Sequence, residues 1–350
     1  MSKESQNPYA LIDVLTLKVI DEHHKMRPSY YVGYSAADNE HCIRDNHYHF
    51  TFLFDAASLD APELFINYVA WARILFKHLN IQPEIFLEKI KLIQNVCRME
   101  LQEPFAGQVD RIIQQTIDQF SDMPDAVPSF INEDGIAGIM ATEYLRAILR
   151  SDRYEAQKII HNARANGLDV KDIYISIFQQ VQYEVGRQWQ HRQISVAQEH
   201  YATAVSQQLM AQIYPSILAL GVTKGSIIVA CIGNELHEMG ARMVSDFLEM
   251  DGWDVSYLGS NTPSASIMAY MKQRKAKMLM ISATMCQNVK NVRDLVNAVR
   301  SDAQLKEVKI IVGGYPFNQT PSLWRSVGAD GYAKDAREAV NVANGLSSKE

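Results

Sequence analysis

From residue 224 onward, short β-branched apolar runs alternate with stretches of helical spacing, and this alternation constrains the chain more than any other feature. The strand candidates are 226–232, 255–258, 278–282, 308–312 and 331–333. Such alternation predicts a parallel sheet joined by right-handed crossovers, a doubly wound α/β domain over 224–350. In sheets of this kind, ligands bind outside the carboxyl ends of the strands.

The chemistry-bearing residues of this region fall at those ends. After the first run comes Glu235-Leu-His237-Glu-Met-Gly240, and after the second Tyr257-Leu-Gly259-Ser-Asn-Thr262-Pro263. A carboxylate two residues before a histidine can accept one ring N–H, fix the tautomer and leave the other nitrogen for a metal. Gly240 would let a bulky ligand approach the backbone where a Cβ would collide. The plainer alternative is that His237 caps or packs in an ordinary doubly wound domain.

The block Glu235…His237…Gly240 resembles the D-x-H-x-x-G signature of cobalamin-binding domains, in the E-x-H-x-x-G form of cobalamin photoreceptors. Ser282-Ala-Thr284, Gly313-Gly314 and Gly328-Ala-Asp330-Gly331-Tyr332 follow in the family's order, so the resemblance covers roughly 224–345. It implies a Rossmann-like cobalamin-binding domain with His237 as the lower cobalt ligand in place of the cofactor's own base. The displaced nucleotide tail would run beside Ser282, Thr284, Gly313 and Gly314, and Gly259 would also belong to the cofactor site.

Before that domain, 129–222 is almost free of strand signals and reads as a bundle of four helices near 131–151, 153–166, 170–190 and 195–220. Trp189 at one helix end and Glu199-His200 on the next helix can be brought together by a tight turn. An indole there could cover a flat cofactor while the polar pair binds a sugar and base. The alternative is a packed tryptophan and a surface pair. The spacing is similar to the W-x9-E-H motif of the helical cap in light-sensing proteins resembling the carotenoid-operon repressors. That resemblance implies adenosylcobalamin, with Trp189, Glu199 and His200 against the adenosyl group. One departure stands out: those relatives carry a histidine after the tryptophan, whereas this chain has Gln190, with His191 one place further on.

Residues 1–125 are expected to form a separate all-α domain, globin-like or otherwise helical, with helices near 61–76, 83–101 and 109–120 and a linker at 123–128. The run Pro62-Glu-Leu-Phe65-Ile-Asn-Tyr68-Val-Ala-Trp71 is similar to the N-terminal domains of photocobilins, which add a bilin pigment; biliverdin as a second chromophore is therefore an expectation. Half of the chain's 10 histidines (His23, His24, His41, His47 and His49) lie in the first fifty residues. With Arg27 and Arg44 they could meet a bilin's propionates, and Cys42 could attach one. On a strand, His47 and His49 would share a face as a metal pair; as a solvated polar loop, the segment would need neither ligand.

A net charge of −6 and no basic recognition helix argue against direct nucleic-acid binding. No apolar run reaches membrane-spanning length, and the first residues lack a leader's pattern. Four cysteines without paired spacing suit the cytoplasm. The expected function is a light sensor, not an enzyme: small-molecule chromophores as ligands, loss of the adenosyl group moving the cap, and output through an unknown downstream protein or a homo-oligomer. The alternatives are a corrinoid methyl carrier of a methyltransferase system and a light-independent cobalamin-sensing regulator.

Overall fold

The computed structural model describes residues 7–132, 134–218 and 220–348. Residues 1–6, on which the expectation of no leader partly rests, lie outside that description. The chain divides into two compact units, Met1–Asp125 and Ala126–Glu350. Among the described residues, no helix is long and apolar enough to cross a membrane.

The first unit is all-helical: α1 (Ile12–Met26), α2 (Ala36–Ser58), α3 (Pro62–His78), α4 (Pro83–Glu100) and α5 (Phe105–Gln119). Pro62 and Pro83 stand at first-turn positions, where a missing N–H costs nothing. Ser35 and Asp38 close a reciprocal capping box at the start of α2. The core gathers Leu15, Val19, Phe50, Leu53, Phe54, Phe65, Val69, Ile90 and Ile112.

Two expectations for the first fifty residues are corrected here. They are neither a polar loop nor a strand, because α1 and α2 occupy most of them. His47 and His49 lie about 200° apart around a helix. His49 is buried with Nδ1 2.7 Å from the Tyr68 hydroxyl, while His47 is near Asp13 at the surface. They do not form a metal pair. The helical period was hidden because Asn46 and His49 take core-facing positions of α2, so apolar spacing breaks where the helix is buried.

In the second unit, α6 (Gly135–Leu149), α7 (Arg153–Ala165), the run α8 (Val170–Asp172), π-helical Ile173–Gln179 and α9 (Gln180–Gln190), and then α10 (Val196–Leu218) form the bundle. The run 170–190 is thus one helix whose middle is wound more widely than an α-helix. After it come β1 (Ser226–Cys231), α11 (Met239–Met250), β2 (Asp254–Tyr257), α12 (Ser264–Arg274), β3 (Met278–Ser282), α13 (Val289–Ser301), β4 (Lys309–Gly313), α14 (Tyr315–Gln319), α15 (Leu323–Ser326), β5 (Gly331–Ala333) and α16 (Ala336–Ser347). All five strands are parallel, in the order β2-β1-β3-β4-β5. The connection reverses direction between β1 and β3, and the crevice at that switch point is where such sheets bind ligands.

The bundle and the sheet share one apolar core. It runs from Tyr144, Tyr174 and Phe178 through Phe247 and Leu248 to Ile227 and Met280. Around it, the Tyr174 hydroxyl donates to Asp246 at 2.7 Å, Arg242 Nε donates to the same carboxylate at 2.9 Å, and the Tyr214 hydroxyl donates to Glu249 at 3.0 Å. The two tyrosine bonds fasten the bundle to α11.

Candidate functional site

The loop after β1 carries the site. Asn234 adopts a left-handed conformation (φ 69°), and its N–H donates to Asn261 Oδ1 at 2.8 Å. In return, the Asn261 N–H donates to the Glu235 carbonyl at 2.8 Å. The loops that follow β1 and β2 therefore brace each other and aim residues 235–238 across the switch point.

Glu235 has no exposed surface, yet its carboxylate is fully used. One oxygen accepts from His237 Nδ1 at 2.6 Å and from the His237 N–H at 3.0 Å. The other accepts from the N–H groups of Thr284 and Met285 at 2.8 and 2.9 Å and from Asn288 Nδ2 at 2.9 Å. Burial pushes this carboxyl's pKa up, but the hydrogen bonds from His237, Met285 and Asn288 outweigh it and bring it down to about 2. The site thus holds a fixed negative charge, with the ends of β1 and β3 bound to a single group.

The hydrogen bond to Glu235 raises the His237 pKa above its ordinary value against burial, and the charges of Glu235 and Glu199 raise it further. Glu199 belongs to the bundle, so α10 brings a carboxylate within electrostatic reach of the imidazole. With Nδ1 committed to Glu235, Nε2 is the nitrogen left for a metal, and the side chain is 56% exposed. Leu236 beside it and Val196 on α10 are also exposed, and a Cβ at Gly240 would meet nothing within 4 Å. Among the described residues, no group of three or more His, Cys, Asp and Glu could hold a metal ion. A single exposed imidazole fits a metal whose remaining ligands come from its own macrocycle.

The remaining sequence candidates have mixed placements. Thr284 meets Glu235 through its backbone, and Ser282 ends β3 half-buried. The sheet itself requires Gly314, whose φ is +106° and whose Cβ would lie 2.0 Å from the Ala283 carbonyl oxygen; at Gly313 a Cβ would approach that of Ala333 to 2.8 Å. Gly259 takes φ +76° directly after β2. Trp189, half-buried in the last turn of α9, and Glu199, in the first turn of α10, flank the turn 191–195, where Arg192 is left-handed. His200 lies 3.5 Å from Glu199 with its side chain 74% exposed. Gln190 is buried, and His191 caps α9 with Nδ1 3.2 Å from Arg187. Neither stands in as a free imidazole above His237.

Sequence reasoning missed Asn288, Asn261, Glu238 and Gln207. Only Glu238 left a signal, as the acid directly after His237. Glu238 Oε1 accepts from Gln207 Nε2 at 2.9 Å, and its Oε2 accepts from the Ser260 N–H at 3.0 Å.

Comparison with known proteins settles what this geometry belongs to. A family model described as B12 binding domain matches residues 225–341, and a second of the same description matches 140–214. Dimethylamine corrinoid protein 3 of Methanosarcina mazei is 30% identical over 123 residues, which cover 35% of this chain and 72% of that protein. The chain belongs to the cobalamin-binding corrinoid protein family. Dimethylamine corrinoid protein 1 of the same organism is 31% identical over 123 residues, and the chain spans only 56% of its length. The solved monomethylamine corrinoid protein of Methanosarcina barkeri shares the fold, with 20% identity and a TM-score of 0.54 over 60% of this chain and all of that one. Both family matches lie in the second unit, so the bundle and sheet together are its corrinoid-protein part.

In the first unit, Cys42, Asp45 and Lys89 lie within electrostatic reach of one another, and Lys89 also acts on His23 and His49. Arg27 is held by a bidentate pair with Glu88, at 2.9 and 2.7 Å. Arg44 lines an open groove on α2 with Glu40, Ile43, His47 and Tyr48.

Proposed function

We propose that this corrinoid protein is a sensor in which the helical cap reports the state of the cofactor's upper face. The observation that carries this reading is the reach of Glu199, on the cap, to His237, on the sheet side. Bound adenosylcobalamin would supply a cobalt–carbon bond that light can break. The chain's own residues would do the rest. Glu235 holds the His237 proton on Nδ1 and presents Nε2 to the cobalt. Trp189, Glu199 and His200 would border the adenosyl group, the indole by covering it and the other two by offering it polar groups. Ser282, Thr284 and the small surface of Gly259, Gly313 and Gly314 line the crevice for a nucleotide tail. A ligand held against the cap in one state and not in the other shifts the cap's balance by its differential affinity. Output would pass to a downstream protein or to a second copy of the chain.

The cluster of Cys42, Asp45, Lys89 and two buried histidines supports a second chromophore, biliverdin, in the first unit. A different reading is a corrinoid methyl carrier, and the names of the curated relatives, which are dimethylamine corrinoid proteins, favour it. Absorption spectra and hydrogen exchange of the adenosylcobalamin-loaded protein, in the dark and under green light, separate the two. The sensor reading expects light-dependent bands together with a dark-to-light change in hydrogen exchange over α10, since the cobalt–carbon bond is photolabile in any host, and Trp189→Ala should lose the adenosyl form faster while still binding hydroxocobalamin. Exchange over α10 indifferent to light, together with methyl transfer from a methylamine system, would establish the carrier instead.

A further inference from the structure

Glu238 takes no part in the scheme above, yet it joins three elements at once. One of its oxygens accepts from Gln207 Nε2 on α10. The other accepts from the Ser260 N–H and lies 3.4 Å from the Tyr257 hydroxyl, which also donates to the Glu238 carbonyl at 3.2 Å. Along α10, Gln207 lies about two turns beyond Glu199 and two turns before Tyr214. On the Tyr214 side, the half-buried Tyr214–Glu249 bond, the buried Tyr174–Asp246 bond and a common core together fasten the cap to α11. On the Glu199 side, the half-buried Gln207–Glu238 bond is the next tie.

We propose that Glu238 is a positioning residue that latches the free end of the cap to the loop carrying His237, so that engagement of a ligand at His237 is felt at α10. This rests on the reading of His237 as the lower ligand. Because Glu238 is bonded to His237 through the chain, any displacement of the loop reaches Gln207 directly. By linkage, a cap held open must weaken the site in return. The bond's modest strength suits a latch whose release lets the first turns of α10 open locally while the rest of the bundle stays folded.

The test uses the full chain with Gln207→Leu, Glu238→Ala and the double variant. In cofactor-free protein, backbone hydrogen exchange over 196–207 should rise about tenfold in each single variant, while 208–218 stays protected. The double variant should exchange no faster than Glu238→Ala, the non-additivity expected of a coupled pair. With hydroxocobalamin bound, Gln207→Leu should admit cyanide to the upper face faster than wild type, with the histidine-ligated spectrum retained. Unchanged exchange over 196–207 in both single variants overturns the latch. A wild-type protein that shows no histidine-ligated cobalamin removes the ligand from the proposal, and this failure is distinct because the cofactor-free exchange is read separately.

Discussion

Tyr174 and Asp246, both buried, are joined by a 2.7 Å hydrogen bond that ties the π-helical turn of the cap to α11. Asp246 keeps Arg242 as its other partner. Removing the phenol alone leaves a buried carboxylate short of one donor. Tyr174→Phe should therefore lower unfolding stability by about 1–3 kcal/mol. Urea denaturation should show an earlier midpoint with the same slope, and an unmoved midpoint would count against the bond's contribution.

Glu235 supports both the fold and the ligand. Glu235→Ala strands the N–H groups of Thr284 and Met285 and the Asn288 amide, with an expected loss of about 1–3 kcal/mol for the unsatisfied donors. Cobalamin affinity should fall about 10- to 100-fold, the usual effect of losing the partner of a metal-bound histidine. Absorbance titration checks the affinity. His237→Ala should instead abolish the histidine-ligated spectrum and lower stability by about 1–3 kcal/mol, because buried Glu235 loses its Nδ1 donor.

The first unit should be acid-sensitive. Burial lowers His23 to about 4 and His49 to about 3, against 6.5 when unfolded. The unfolded chain then binds more protons below pH 6.5. The contribution of these histidines is complete above that value and is lost as pH falls toward 4 and then 3. By pH 5 the loss is about 2 kcal/mol for each. Melting of the full chain at pH 7.5 and pH 5 should show an early transition at the lower pH, and a His23→Gln, His49→Gln double variant should flatten the slope between them.

Gly314→Ala should destabilise the sheet domain by more than about 3 kcal/mol, because strain at φ +106° adds to a clash with the Ala283 carbonyl. Circular dichroism melts of the full chain would show it. A Gly240→Ala chain, with open space at that position, should melt like wild type.

The parallel sheet was legible because its strands are short β-branched apolar runs whose pattern needs no tertiary context; predicted 278–282 and 331–333 coincide with β3 and β5. The Glu235–His237 pair was legible because its partners are two residues apart. Asn288 was not, since it reaches Glu235 from 53 positions away and nothing in local spacing marks such a bond. Likewise α1 and α2 were missed because His23, Asn46 and His49 are buried, and polar residues in a core imitate a loop.

The widened coil at Ile173–Gln179 bears on everything after it. Such a segment accommodates an extra residue per turn. Deleting one amino acid there would restore ordinary pitch and leave the downstream end at the same azimuth, because the wide turn is what absorbs the extra residue. Trp189 would then keep its place in the last turn of α9, so a frame-preserving single-codon loss at 173–179 should disturb the packing of Tyr174 and Phe178 without turning the end of the cap.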